Sequence, residues 1–157
     1  MKKSALFIIL TLFTLSCTPD DGFEIEDFEP IPLATGYLNS KEGIKEQNLI
    51  ISDEDTWNEL VSQMDSVNNE SQNFSETRID FSKFQIIAIF DQVRNTGGYH
   101  LDAKFSVNAS KIVATIIKIT PKPEDYVTYV INQPYYIVKI PKVDLPIAFE
   151  TITKERD

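Results

Sequence analysis

The sequence predicts a mainly β, α+β domain, an antiparallel β-sandwich or partial barrel with one packed amphipathic helix. Three observations carry that expectation. From Ile79 onward, short runs rich in β-branched and aromatic residues alternate with turn signals. One stretch alone, Trp57, Leu60, Val61 and Met64, has the i, i+3, i+4, i+7 spacing of a helix with one apolar face. The run Phe84 to Phe90 is apolar at positions of both parities, so both of its faces need cover, and the helix can close one of them.

Taken in order, Gly36-Tyr37-Leu38 and Gln47 to Ile51 are short strands, with Lys41-Glu42-Gly43 as a turn between them. Ser52 is placed to cap the helix, and Asp53, Glu54 and Asp55 in the first turn favour its dipole. Trp57 reads as a core anchor rather than a ligand platform. Ser66 to Thr77, rich in Asn, Ser, Gln and Glu, reads as a loop. Strands follow near Phe84 to Phe90, Tyr99 to Val107, Lys111 to Ile119, Tyr126 to Ile131, Tyr135 to Ile140 and Ile147 to Thr151. Their separators are Gly97-Gly98, Asn108-Ala109-Ser110, Pro121-Lys122-Pro123, Gln133-Pro134 and Pro141 to Pro146. Most of Phe84, Phe90, Tyr99, Phe105, Tyr136 and Phe149 fall where strand periodicity buries them.

The amino-terminal stretch points to the cell envelope. Lys2 and Lys3 precede an apolar run from Ala5 to Leu15, too short for a span of about 20 residues. It reads as a signal peptide over residues 1–17. Leu15-Ser16-Cys17 closes it like a bacterial lipobox, with Cys17, the sole cysteine, as the lipidated residue. Acylation at several positions gives the stable membrane anchoring that one chain does not. Residues 18–33 hold six acids, three prolines and no base, the composition of an extended tether or of a surface-export signal. Phe23, Ile25 and Phe28 could also dock there as an edge strand. Residues 34–153 remain as a single domain. Removal of Lys2 and Lys3 leaves 13 basic residues against 24 acidic ones, a net charge of −11. Such a surface excludes nucleic acid as a partner, because phosphate contacts need Lys and Arg. The membrane is reached through the anchor at Cys17, and the expected location is the outer membrane, on a periplasmic or surface face.

Few residues offer chemistry. His100 is the only histidine and shares a strand face with Asp102, Lys104 and Ser106, opposite Leu101, Ala103 and Phe105. One histidine and one lipobox cysteine leave no His-Cys metal site and no Cys-His dyad. A triad built on His100 has no G-x-S-x-G nucleophile turn to support it. Neither a P-loop nor a dinucleotide fingerprint is present. The expectation is a protein without catalytic residues, cofactor or metal. Thr96-Gly97-Gly98-Tyr99 is read as a tight reversal between strands, where glycine supplies positive φ and bares the backbone to an approaching chain. Pro134-Tyr135-Tyr136 is read as a rigid turn followed by one inward and one outward tyrosine, the outward one suited to a contact.

Several segments together resemble the PrcB C-terminal-type domain family, found in lipoproteins described as protease-complex subunits. They are the Trp57/Leu60 helix, Ile79-Asp80-Phe81 before the apolar strand, Thr96-Gly97-Gly98-Tyr99, and Pro134 to Pro141. The resemblance spans roughly Ile50 to Phe149 and departs from the family at the long loop Ser66 to Thr77. It implies a β-rich fold and a supporting role in assembling or stabilising a partner protease. Asn95 to Tyr99 is also similar to the Thr-Gly loop of chagasin-type cysteine-protease inhibitors, although no proline precedes Thr96. The expected function is thus a non-catalytic, lipid-anchored protein that binds an envelope partner as an accessory or stabilising subunit of a protease complex. Its contact residues would be Arg94, Asn95, Thr96, Gly97, Gly98 and Tyr99, with Pro134 and Tyr135. The alternatives are a direct inhibitor acting through Thr96 to Tyr99, and a structural envelope lipoprotein.

Overall fold

The structure, a computed structural model, describes residues 28–157. The expected signal peptide, Cys17 and the tether as far as Asp27 lie outside the described residues. Eight strands and one α-helix follow in the order β1 (Ile31–Leu38), β2 (Gln47–Ile51), α1 (Glu54–Met64), β3 (Phe84–Phe90), β4 (Arg94–Thr96), β5 (His100–Val107), β6 (Ile112–Thr120), β7 (Tyr129–Pro141) and β8 (Ile147–Glu155). One sheet has the order β1-β7-β3-β2, with β4 added to the far end of β7, and the second has the order β5-β6-β8. The two sheets and the helix form three layers, a mainly β, sandwich-like α+β fold that does not close into a barrel.

Residue parity in β3 and β7 explains the layering. Ile86, Ala88 and Phe90 face the helix layer, where they meet Trp57, Leu60 and Met64. Ile87 and Ile89 face the second sheet and meet Leu101, Ile112 and Ile116. β7 divides in the same way, with Tyr135 and Ile137 on the helix side and Tyr136, Val138 and Ile140 between the sheets. A strand buried on both faces has no polar side, which is why the Phe84–Phe90 run lacks alternation. Each such isoleucine contributes about 1.5–3 kcal/mol of burial.

The helix is capped by Asp53 rather than Ser52. Its Oδ1 accepts from Thr56 N at 2.8 Å and its Oδ2 from the Thr56 hydroxyl at 3.0 Å, the N-cap geometry that Ser52 lies one residue too early to make. Trp57 is a core anchor. It is 1% exposed, stacks at a tilt on Phe74, and donates from Nε1 to Thr77 O at 2.8 Å. The long polar loop therefore carries a short 3-10 turn (Glu70–Asn73) and one buried phenylalanine that holds it to the helix.

Four details differ from the sequence expectations. First, β1 starts at Ile31 and puts Leu33 in the core, so the folded chain reaches into the stretch assigned to the tether, and Phe28 packs against the inter-sheet core. Second, β8 runs to Glu155 and pairs with β6 in parallel rather than antiparallel fashion. The chain leaves β6 for β7 in the other sheet and then returns, and two reversals restore its direction. Third, Gln133-Pro134 is no turn; the two segments expected around it are one strand, β7. Pro134 falls where β3 has ended, at Phe90 opposite Tyr135, and β4 has yet to begin, at Arg94 opposite Asn132. Its missing N–H therefore costs no ladder bond on that side. Gln133 Nε2 fills the gap, donating to Asp91 O at 2.8 Å and Ile44 O at 3.0 Å. Fourth, Gly97-Gly98 makes no hairpin. The segment carries the chain from the first sheet to the second, and Gly98 alone of the pair has positive φ, at 91°.

Candidate functional site

The Arg94–Tyr99 stretch is built into a lobe instead of projecting as a tip. Arg94–Thr96 pairs with the start of β7, Arg94 opposite Asn132 and Thr96 opposite Tyr129. Gly97 N donates to Thr128 O at 2.9 Å. A Cβ on Gly97 would lie 2.8 Å from Thr128 Oγ1, and one on Gly98 would lie 3.2 Å from both Pro121 Cβ and Val127 Cγ1. The two glycines thus let residues 121–128 close down on the crossover.

Arg94 faces inward to a charge network. Its Nε and Nη2 donate to Asp91 Oδ2 at 2.8 and 2.6 Å, and its guanidinium lies 4.2 Å from the centre of the Tyr99 ring. Lys118 Nζ, from the second sheet, reaches Asp91 Oδ1 at 2.7 Å and Glu46 Oε1 at 2.5 Å. Burial pushes the Asp91 carboxyl upward, but the hydrogen bonds and charges of Lys118 and Arg94 outweigh it and hold the group below the ordinary carboxylate range. Burial likewise pulls Lys118 down, and Asp91 and Glu46 overcome it, leaving the amine above its ordinary value. Arg94 and Tyr99 are therefore part of a seam between the sheets; of the six residues, Asn95 alone is exposed and the others are half-buried.

Pro134 and Tyr135 are not surface residues. Tyr135 is 1% exposed, with its ring over Gly36 and its hydroxyl donating to Glu70 Oε2 at 3.2 Å. Burial first, then the Glu70 carboxylate, push its hydroxyl well above the ordinary tyrosine range. Tyr136 is buried on the opposite face, so neither tyrosine points outward. The expectation of one outward tyrosine fails because both faces of β7 are covered at that point.

The exposed surface lies a few residues earlier. Val93, Tyr126, Tyr129, Val130 and Ile131 are exposed, with Tyr129 at 96%. Their strand should bury alternate residues, yet Tyr129, Val130 and Ile131 are all open. Three residues of β4, Arg94–Thr96, face four of β7, Tyr129–Asn132, and this irregularity breaks the alternation. Neither the helix layer nor β1 reaches this far: the last β1 pair is Leu38 with Gln133. Sequence reasoning missed these residues because an almost wholly apolar strand run looks buried in isolation. The available signal was the lack of any charged residue from Tyr126 to Tyr136 in a chain of net charge −9.

His100 is exposed at the neighbouring sheet edge, where its Nδ1 is hydrogen-bonded to the Tyr37 hydroxyl with the rings edge-on. Tyr37 is raised by burial. No serine or carboxylate hydrogen-bonds His100 among the described residues, and these contain no group of three or more His, Cys, Asp or Glu placed to hold a metal ion. No described helix is long and apolar enough to cross a membrane. The chain matches no family model, no curated protein and no solved structure.

Proposed function

We propose that this is a non-catalytic, lipid-anchored envelope protein that binds a partner protein through the lobe formed by Val93–Tyr99 and Tyr126–Ile131. The observation that carries the reading is the run of four exposed apolar side chains, Tyr126, Tyr129, Val130 and Ile131, on an uncharged segment of an acidic chain. Exposed tyrosines beside aliphatic residues on an uncharged segment have the composition of a contact surface. Strand direction supports it as well. β1 enters opposite Lys139 and leaves opposite Gln133, so the lobe sits at the far end of the sheet from the amino-terminal tether. Six residue rises along β7 separate those ends by about 20 Å. An anchor at Cys17 would hold one end near the membrane and present the other.

A partner in a protease complex, with this chain as accessory or stabilising subunit, is the role implied by the resemblance of the Trp57 helix, Thr96 to Tyr99 and Pro134 to Pro141 to the PrcB C-terminal-type family. The packing of Gly97 and Gly98 beneath Pro121, Val127 and Thr128 favours support of a contact surface over direct insertion into a protease cleft. The test is crosslinking of the anchored full chain in its own envelope, compared with a Tyr126→Ser, Tyr129→Ser variant. The proposal expects a protease crosslinked to the unaltered protein and lost from the variant. Identical neighbours for both would leave a structural lipoprotein with no partner at this lobe.

A further inference from the structure

We propose that the β1 side of Tyr129–Asn132 is a strand-addition site, which takes an extended segment of another protein as a further strand of the first sheet. This rests on the partner-binding reading and gives it a mode. β7 is thirteen residues long, whereas β1 pairs with it only from Gln133 to Lys139. At the end of β1 the chain turns away: Asn39 N donates to Glu42 Oε1 at 3.3 Å, and Ser40 takes a φ of 75°. Residues 129–132 keep β4 on one side and have no ladder partner on the other among the described residues. Strand edges with open N–H and C=O groups are templates for an incoming extended backbone.

Most other outer strands are guarded; β2, at the opposite edge of the first sheet, is the exception, with neither charge nor proline. The outer strands of the second sheet carry Asp102 and Lys104 on β5 and Glu150, Lys154 and Glu155 on β8. β1 has Pro32 and a register shift. The open stretch of β7 has no charge and no proline. A second observation points the same way: Asn132 is 8% exposed, yet its Oδ1 has no hydrogen-bond partner among the described residues. A buried amide oxygen left without a donor is costly, and an added strand would bring N–H groups to this end of β7.

Charge selects the occupant. Cleaved before Cys17, a second copy would bring a net charge of −11 against −11 to an edge that has no charge of its own. The segment that fits comes from a different protein. It is extended, and apolar or aromatic at alternate positions to meet Tyr129 and Ile131, which share a parity on the strand.

Short random peptides displayed on phage, panned against the full chain in detergent, provide the probe. The expected winners alternate apolar residues and slow amide exchange in residues 129–132 by at least about tenfold. N-methylation of alternate peptide nitrogens, which leaves the protein unchanged, should weaken binding by at least about tenfold, and so should the edge charge of Ile131→Lys. The proposal is overturned if no peptide is selected, if methylated peptides bind equally, if protection falls on the β2 edge, or if dilution reveals self-association with the same protection. Loss of the envelope crosslink in the Tyr126→Ser, Tyr129→Ser variant without peptide protection of 129–132 would retain the partner and discard the strand. Peptide protection without any envelope crosslink would remove the partner.

Discussion

The two halves of β7 have similar apolar content and opposite fates. Tyr135, Ile137, Val138 and Ile140 are buried, because the helix layer covers one face and the second sheet the other. Tyr129, Val130 and Ile131 on the same strand are exposed, because β1 and both covering layers end before them. Burial along a strand is therefore set by how many layers overlap it, not by the hydropathy of its residues. An apolar residue beyond the overlap is free for another molecule.

The largest expected effect breaks the comparison directly. Ile137→Ala leaves a cavity between fully covered layers and should cost about 2–5 kcal/mol, while Ile131→Ala should stay within about 0.5 kcal/mol. Urea denaturation of both variants checks the pair, and similar losses would mean the Tyr129–Ile131 end of β7 is packed after all. Next comes the seam that joins the halves. Asp91→Asn removes the charge and one of the two acceptor oxygens shared by Arg94 and Lys118, and should cost about 3 kcal/mol at neutral pH. The folded Asp91 value lies below its unfolded one, so its contribution is full above the unfolded value of about 3.9 and is lost as pH falls through the folded value. The gap between variant and parent should accordingly narrow below pH about 4, and thermal melts across the acid range read it.

At the alkaline end the sign reverses. Tyr135 and Lys118 are both raised, so their contributions are present below the unfolded values and fade as pH climbs above about 10. Tyr135→Phe should flatten that alkaline loss, measured by the same melts. The smallest effect is local to the crossover. Gly98→Ala sets a Cβ at positive φ and 3.2 Å from two side-chain carbons, and a loss of about 1–2 kcal/mol is expected. If that variant also loosens residues 121–128 in hydrogen exchange, the glycine holds the lobe in place.

Much of this architecture is legible in the chain. Phe84–Phe90 matches β3 residue for residue, because a bilaterally apolar run bounded by polar residues has few alternatives. The Trp57 helix follows from its spacing, with the cap displaced by one residue to Asp53. The site is much less legible. Arg94 to Tyr99 reads as a contact loop, but charge pairing to Asp91 and glycine packing fold it inward, and no local pattern reports that Lys118 waits across the seam. Pro134 reads as punctuation until a gap between two ladder partners gives a proline room inside a strand.

Residue order thus determined the β-rich class, the single helix and the doubly covered centre, since periodicity and composition act over a few residues and need no partner. Tertiary structure alone decided that β8 runs parallel to β6, that both tyrosines after Pro134 turn inward, and that β7 outruns its neighbours. Those outcomes depend on where segments distant in sequence stop. The end of β1 at Leu38 is what exposes Ile131, more than ninety residues away.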